Sequence, residues 1–139
     1  MTKTRRELVY EDESGLVHWD DKAQCVEVET KQHVSSEAFR SVLETILGMI
    51  KERNARKFLI DMTKMDRIES EDLLWVETDW FPRCLQAGVV FVAIVMPESV
   101  ASLMMVDKAV ERLSPYAISE CIERFFNDVD DAREWLANQ

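Results

Sequence analysis

The sequence has little of the residues that build irregular or cross-linked proteins. Its 139 residues include three glycines, three prolines and three cysteines. Cys25, Cys84 and Cys121 form no CxxC pair and lie far in sequence from His18 and His33, so neither a disulfide framework nor a zinc site is indicated. We therefore expect reduced thiols and no metal or other cofactor.

Long apolar runs and positive charge are also scarce. The longest apolar run, Val89–Met96, is far too short to span a bilayer, and the first residues have no apolar segment typical of a signal peptide. The formal net charge of −10 argues against nucleic acid or anionic lipid as a partner, because such partners need clustered Lys and Arg. The sequence predicts a soluble, cytoplasmic protein without membrane insertion.

What is present is a globular composition. Hydrophobic residues make up 47% of the chain and charged residues 32%, which is typical of a folded protein rather than a disordered one. The length is that of one ordinary domain with a real core. We expect a single domain over residues 1–139.

The first part of the chain predicts an antiparallel meander. Three segments too short for helices, Glu7–Tyr10, Leu16–Asp20 and Cys25–Glu29, are separated by turn-like strings. In the third segment apolar and acidic residues alternate, so one face is predicted to be buried and the other wet, with Glu27 on the wet face.

After the meander, helices and strands alternate, which predicts an α/β fold with one mixed sheet. Hydroxyl caps and apolar residues at spacings of three and four predict the helices, and short apolar runs predict the strands. The predicted elements are a helix from Ser35 or Ser36 to Asn54, a strand over Phe58–Ile60 ending in Asp61, a helix over Ser70–Ala87, a strand over Val89–Val95, a helix over Glu98–Leu113, a strand over Ile118–Phe125, and a helix over Val129–Ala137 capped by Asp128.

The helix over Ser70–Ala87 carries one aromatic side chain out of place. At 100° per residue, Trp75 falls on the side held by Asp79, away from the apolar stripe. Trp75 is interpreted either as part of a candidate partner surface together with Asp79, or as a side chain covered by the preceding loop or a neighbouring element. The stripe itself is formed by Leu73, Leu74, Val76, Trp80 and Phe81.

Two further residues of this helix break its pattern. Glu77 falls inside the apolar stripe, where an unpaired carboxylate is costly, so it is expected to reach the helix margin or to pair with a cation. Pro82 removes a helical hydrogen bond and is expected to kink or interrupt the helix.

The order of elements and several strings resemble the STAS domain, and more closely its stand-alone SpoIIAA-like relatives. Asp61-Met62-Thr63 is similar to the family's strand end. Glu69-Ser70 stands where the family has an Asp-Ser or Asp-Thr pair that opens a helix with the phosphoryl acceptor. The C-terminal "FFNDVDDAREWLA" is similar to the closing strand and helix. The resemblance implies that Ser70 is the candidate phosphoacceptor, in a site with Asp61, Thr63 and Glu69.

The residues around Ser70 also allow a simpler role. Its hydroxyl is suited to cap the helix by accepting an amide bond two or three residues on. A phosphate on Ser70 would gain from the helix N-terminus but would meet the charges of Glu69, Glu71 and Asp72. The two roles are not exclusive.

No nucleophile elbow, phosphate-cradling glycine loop or HExxH motif is present, so no enzyme is predicted. The favoured hypothesis is a regulatory module that binds a protein partner through the loop after Asp61 and the helix from Ser70, with a homodimer as a further option. The alternative is a carrier of SEC14-like type, in which the Trp, Phe and Met side chains of the second and third helices enclose a small apolar ligand or lipid.

Overall fold

Six strands lie side by side in chain order and form one mixed sheet. The computed structural model describes residues 6–31, 35–65, 69–98, 104 and 121–139. The first three strands pair antiparallel and the last four pair parallel, which confirms the predicted meander followed by an α/β part. The strands are β1 (Arg6–Glu11), β2 (Gly15–Asp20), β3 (Cys25–Thr30), β4 (Lys57–Asp61), β5 (Phe91–Val95) and β6 (Ile122–Phe126).

The described helices agree with the predicted ones. Apart from Glu98 and Met104, the predicted helix over Glu98–Leu113 lies outside the described residues. The start of the predicted strand over Ile118–Phe125 lies outside them as well. None of the described helices has the length and apolarity needed to cross a membrane. The helices are α1 (Ser36–Arg53), α2 (Ser70–Trp75), a π-helical turn (Val76–Trp80), α3 (Phe81–Gln86) and α4 (Val129–Ala137).

Local capping signals set the ends of α1 and the start of α4. The Ser35 hydroxyl accepts a hydrogen bond from the Ala38 N–H at 3.1 Å. Asn54 ends α1 in the left-handed conformation with φ 53°, which short polar residues tolerate. The Asp128 carboxylate accepts from the Asp130 N–H at 2.9 Å. These caps confirm the boundaries that the sequence predicts.

The sheet is covered by helices on both faces, as parallel strands require. Helix α1, α2, the π turn and α3 pack on one face, and α4 packs on the other. In the larger core the Trp80 indole donates to the Leu43 carbonyl oxygen at 2.7 Å and meets the edge of Phe58 with ring centroids 5.6 Å apart. On the other face, Ala132 and Leu136 are buried in the smaller core.

The helix between β4 and β5 is interrupted as Pro82 predicts. The Phe81 N–H donates to the Val76 carbonyl, five residues back, which is the hydrogen bond of a π turn. In a regular α-helix the Pro82 ring would clash with the Thr78 carbonyl. The wider turn directly before Pro82 accommodates the ring, so the helix continues as α3 instead of ending.

The prediction that Glu27 faces water is wrong. Glu27 is 2% exposed and lies on the face that carries α4. Arg133 of α4 donates to both carboxylate oxygens at 2.9 Å, and Arg6 of β1 donates to one of them at 2.5 Å. The period-two alternation places Glu27 on the correct face, but arginines from two distant elements cover it.

Two glycines should respond in opposite ways to replacement by alanine. A Cβ on Gly15 would lie 2.6 Å from the Glu29 carbonyl oxygen, whereas a Cβ on Gly48, inside α1, meets nothing within 4 Å. Gly15→Ala should lower the free energy of unfolding by about 1–3 kcal/mol because a backbone must shift. Gly48→Ala should raise it by about 0.5–1 kcal/mol because alanine favours the helix. Urea denaturation measures both, and equal effects would contradict the close strand contact at Gly15.

Candidate functional site

The residues after β4 form a tight turn at the carboxyl edge of the sheet. Asp61, the last residue of β4, is 8% exposed. Its carboxylate accepts from the Thr63 N–H at 3.0 Å and from the Thr63 hydroxyl at 2.5 Å. Its carbonyl accepts from the Thr30 hydroxyl at 3.1 Å. The structure therefore brings the candidate residues Asp61 and Thr63 together, with Thr63 as hydroxyl donor to Asp61.

The loop is held against the neighbouring strands. The Met62 N–H donates to the Val95 carbonyl at 3.0 Å, and Met65 is 2% exposed. The Lys64 ammonium lies 2.9 Å from a Glu29 carboxylate oxygen, and the hydrogen bond to that carboxylate raises the pKa of Lys64. This part of the loop is therefore fixed to β3 and β5 by backbone, apolar and ionic contacts.

The prediction that Ser70 caps the helix is wrong by one residue. Glu69 occupies the N-cap, with extended φ of −72° and ψ of 138°, and its side chain makes no capping hydrogen bond. Ser70 is the first helical residue and is exposed. A serine in helical conformation cannot turn its hydroxyl back onto the first-turn amides as an extended N-cap residue does. The Ser70 hydroxyl is thus not used by a cap.

A buried carboxylate joins the first turn of α2 to the first turn of α1. Asp72 is 3% exposed and accepts from the Ser36 hydroxyl at 2.8 Å and from Arg40 Nε at 3.0 Å. Arg40 also donates to the Glu71 carbonyl at 3.5 Å. Buried carboxylates are stable only when such donors surround them. This contact fixes where α2 begins relative to α1.

Trp75 is half-buried, between the two interpretations that the sequence allowed. The guanidinium carbon of Arg40 lies 5.2 Å from its ring centroid, and that of Arg83 lies 6.0 Å away. Both distances are within the range of cation–π attraction. Asp79 is exposed and pairs with Arg83 at 2.9 Å. Trp75 and Asp79 therefore share one arginine.

The outward side of α2 differs from the predicted one. Leu74, predicted to lie in the apolar stripe, is 54% exposed, whereas Glu77 is 6% exposed. Glu77 therefore lies inside the stripe as predicted and does not reach the helix margin, and its pairing with a cation stays a prediction. A π turn takes more residues than an α turn, so a helical wheel drawn at one angle misplaces the residues before it relative to those after it. Leu74 and its half-buried sequence neighbour Trp75 consequently both reach the surface.

Three residues of this site, Arg40, Glu44 and Arg83, carried no role in the sequence interpretation. Arg83 and Asp79 are four residues apart on a helix, and this spacing is a known signal for an ion pair. Arg83 also pairs with Glu44 of α1 at 2.8 Å. Arg40 and Glu44 reach the site from another helix, more than 30 residues away in sequence, so no local pattern indicates them.

Burial makes the cysteines poor nucleophiles. Cys25, Cys84 and Cys121 are free and buried, and burial raises the pKa of Cys25 and Cys84 well above the usual range and that of Cys121 to about 12. Within the described part of the chain no cluster of three His, Cys, Asp or Glu side chains could hold a metal ion.

Residues 25–137 match the family model of the SpoIIAA-like family, and this segment contains β3 to α4 with the whole candidate site. The chain belongs to the SpoIIAA-like family. No curated protein sequence matches it. The family is of the STAS type, whose domains are generally non-catalytic regulatory modules that act through protein–protein interaction. The resemblance stated from Asp61, Thr63 and the C-terminal helix is confirmed.

The two helix-start serines provide a matched test of the capping assignment. Ser35→Ala should lower the free energy of unfolding by about 0.5–2 kcal/mol because it removes the cap of α1. Ser70→Ala should change it by less than about 0.5 kcal/mol because an exposed side chain without a capping bond is removed. Urea denaturation of both variants measures the difference. A loss for Ser70→Ala as large as that for Ser35→Ala would place the cap on Ser70 after all.

The thiols should react only when the protein unfolds. At pH 8 a thiol-specific chromogenic reagent should label fewer than one of the three cysteines in native protein, because burial hinders both access and ionisation. In denaturant all three should react at once. Rapid labelling of native protein would show that one of these sites opens readily.

Proposed function

We propose that this protein is a non-enzymatic regulatory module that binds a protein partner through the loop after Asp61 and the helical segment from Ser70. The observation that carries the proposal is the surface position of Leu74 beside Trp75. An exposed leucine next to a half-buried tryptophan is the kind of apolar centre that partner surfaces use. Membership of a STAS-type family supports the same class of function.

The underlying structure holds this surface in a defined shape. Asp72 ties α2 to α1, and Arg40 and Arg83 hold the Trp75 ring between two helices. A partner therefore meets side chains that are already ordered, which lowers the entropy lost on binding. We call the exposed part of α2, the π turn and the adjoining side of α1 the Trp75 face.

The exposed hydroxyl of Ser70 keeps it as the candidate phosphoacceptor on this face. A phosphate there would add about −1.5 to −2 charges at pH 7 next to Glu69 and Glu71, and so would change the charge that a partner meets. Phosphopeptide analysis of protein isolated from its native cells tests whether this serine is modified.

Partner capture should depend on Leu74 and not on an equally exposed residue elsewhere. Leu74 and Ile122 are each 54% exposed, so Leu74→Glu and Ile122→Glu introduce the same charge at matched exposure. Ile122 lies on β6, outside the Trp75 face. Affinity capture with tagged wild type and both variants, read by quantitative mass spectrometry, should show proteins recovered by wild type and Ile122→Glu but lost from Leu74→Glu.

Circular dichroism and urea denaturation first establish that both variants fold as wild type does, since exposed substitutions normally cost little stability. Trp75→Ala should weaken capture in the same direction as Leu74→Glu. If wild type, Leu74→Glu and Trp75→Ala all recovered the same proteins in the same amounts, the proposed surface would be wrong.

Two further hypotheses stay predictions. A homodimer is tested by analytical ultracentrifugation of the purified protein. A SEC14-like carrier of an apolar ligand is tested by native mass spectrometry and lipid extraction; Trp80 and Phe81, two of the side chains that suggested it, are packed in the core at 3% and 5% exposure.

A further inference from the structure

The charges around the Trp75 face are unequal in sign. Helix α1 presents Glu37, Arg40 and Glu44 on one side, since residues three and four apart share a helix face. Next to them, α2 and the π turn present Glu71 and Asp79, which are both exposed. With the buried Asp72, five carboxylates stand against the guanidinium groups of Arg40 and Arg83 among these described residues of the face.

Both arginines are already neutralised within the face. Arg40 pairs with Asp72 at 3.0 Å, and Arg83 pairs with Glu44 at 2.8 Å and with Asp79 at 2.9 Å. Their planar groups also lie over Trp75. They are therefore occupied as donors, and an acidic ligand would have to break existing pairs to reach them.

The remaining acids are directed to solvent. Neither Glu37 nor Glu71 forms an ion pair within the described part of the chain, and both are exposed. Glu37 also lines an open groove with Asp12 and Glu13 from the turn between β1 and β2. Acidic side chains thus extend from α2, which carries Leu74 and Trp75, across α1 to that turn.

We infer that the partner of the Trp75 face is a basic protein segment with an apolar side chain that contacts Leu74 and Trp75. This inference rests on the proposed function and names the chemistry of its partner. An apolar centre with a rim of unpaired acids is complementary to an amphipathic segment rich in Lys or Arg, and such a rim sets the association rate and the choice of partner. An acidic or purely apolar segment would meet uncompensated carboxylates.

Two double variants, each reversing two charges, distinguish attraction by the acids of this face from attraction by the net negative charge of the protein. Glu37→Lys with Glu71→Lys changes the face, and Asp131→Lys with Glu134→Lys changes exposed acids of α4 on the opposite side of the sheet. Each pair replaces two acids by lysines. Glu37 and Glu71 both lie in the first turn of a helix, whereas only Asp131 of the α4 pair does, so urea denaturation first establishes that both double variants fold as wild type does.

The probe is a fluorescein-labelled synthetic amphipathic peptide of leucine and lysine about 14 residues long, read by anisotropy, with a leucine–glutamate peptide of the same pattern as its control. The leucine–lysine peptide should bind wild type, and the Glu37→Lys/Glu71→Lys variant should weaken it by about tenfold or more. The α4 double variant should weaken it by less than about threefold. Leu74→Ala should weaken it several-fold without altering the response to salt.

Equal weakening by both double variants would mean diffuse attraction to an acidic protein and would overturn the inference. Preferential binding of the leucine–glutamate peptide would overturn it as well. Suppose that the leucine–lysine peptide did not bind wild type, but Leu74→Glu still failed to capture proteins that wild type captures. The inferred partner chemistry would then be wrong, and the proposed function would stand. If Leu74→Glu also captured the same proteins as wild type, both the inferred partner chemistry and the proposed function would be wrong.

Discussion

The carboxylate of Asp72 is the contact on which the Trp75 face depends. It is buried where two helices begin, and removing such a charge from water costs several kcal/mol unless donors replace the water. Ser36 and Arg40 are those donors. Because Arg40 is held by Asp72, its guanidinium lies over the Trp75 ring. One buried acid therefore sets the start of α2, the direction of an arginine and the position of the tryptophan.

The fold could be predicted wherever the signal was local. The caps Ser35, Asn54 and Asp128 mark helix ends because each acts on amides or carbonyls within a few residues. Period-two alternation identified the meander, but it could not show what covers a strand face. Glu27 is buried because Arg6 and Arg133 come from opposite ends of the chain, and no pattern within β3 records them.

In the candidate site, too, the features set by neighbouring residues could be predicted and those set by packing between helices could not. The turn of Asp61 and Thr63 follows from residues that are neighbours in sequence. The exposure of Leu74 was missed because a helical wheel assumes the same rotation for every residue, which a π turn does not follow. Pro82 was nevertheless a signal that the helix would be disturbed. The cation–π contact with Arg40 was missed because its two members are brought together only by the packing of α1 on α2.

The π turn also restricts how the length of this segment can vary. Removing one residue from Val76–Trp80 would take away the wide turn that accommodates the Pro82 ring, and it would rotate everything before the turn by about 100° relative to α3. Leu74 and Trp75 would then leave the surface they share, while Trp80 and the core stayed in place. Insertions and deletions between related sequences should therefore occur before Ser70, where a loop absorbs them, and not within the helical segment, where a single residue changes which side chains face a partner.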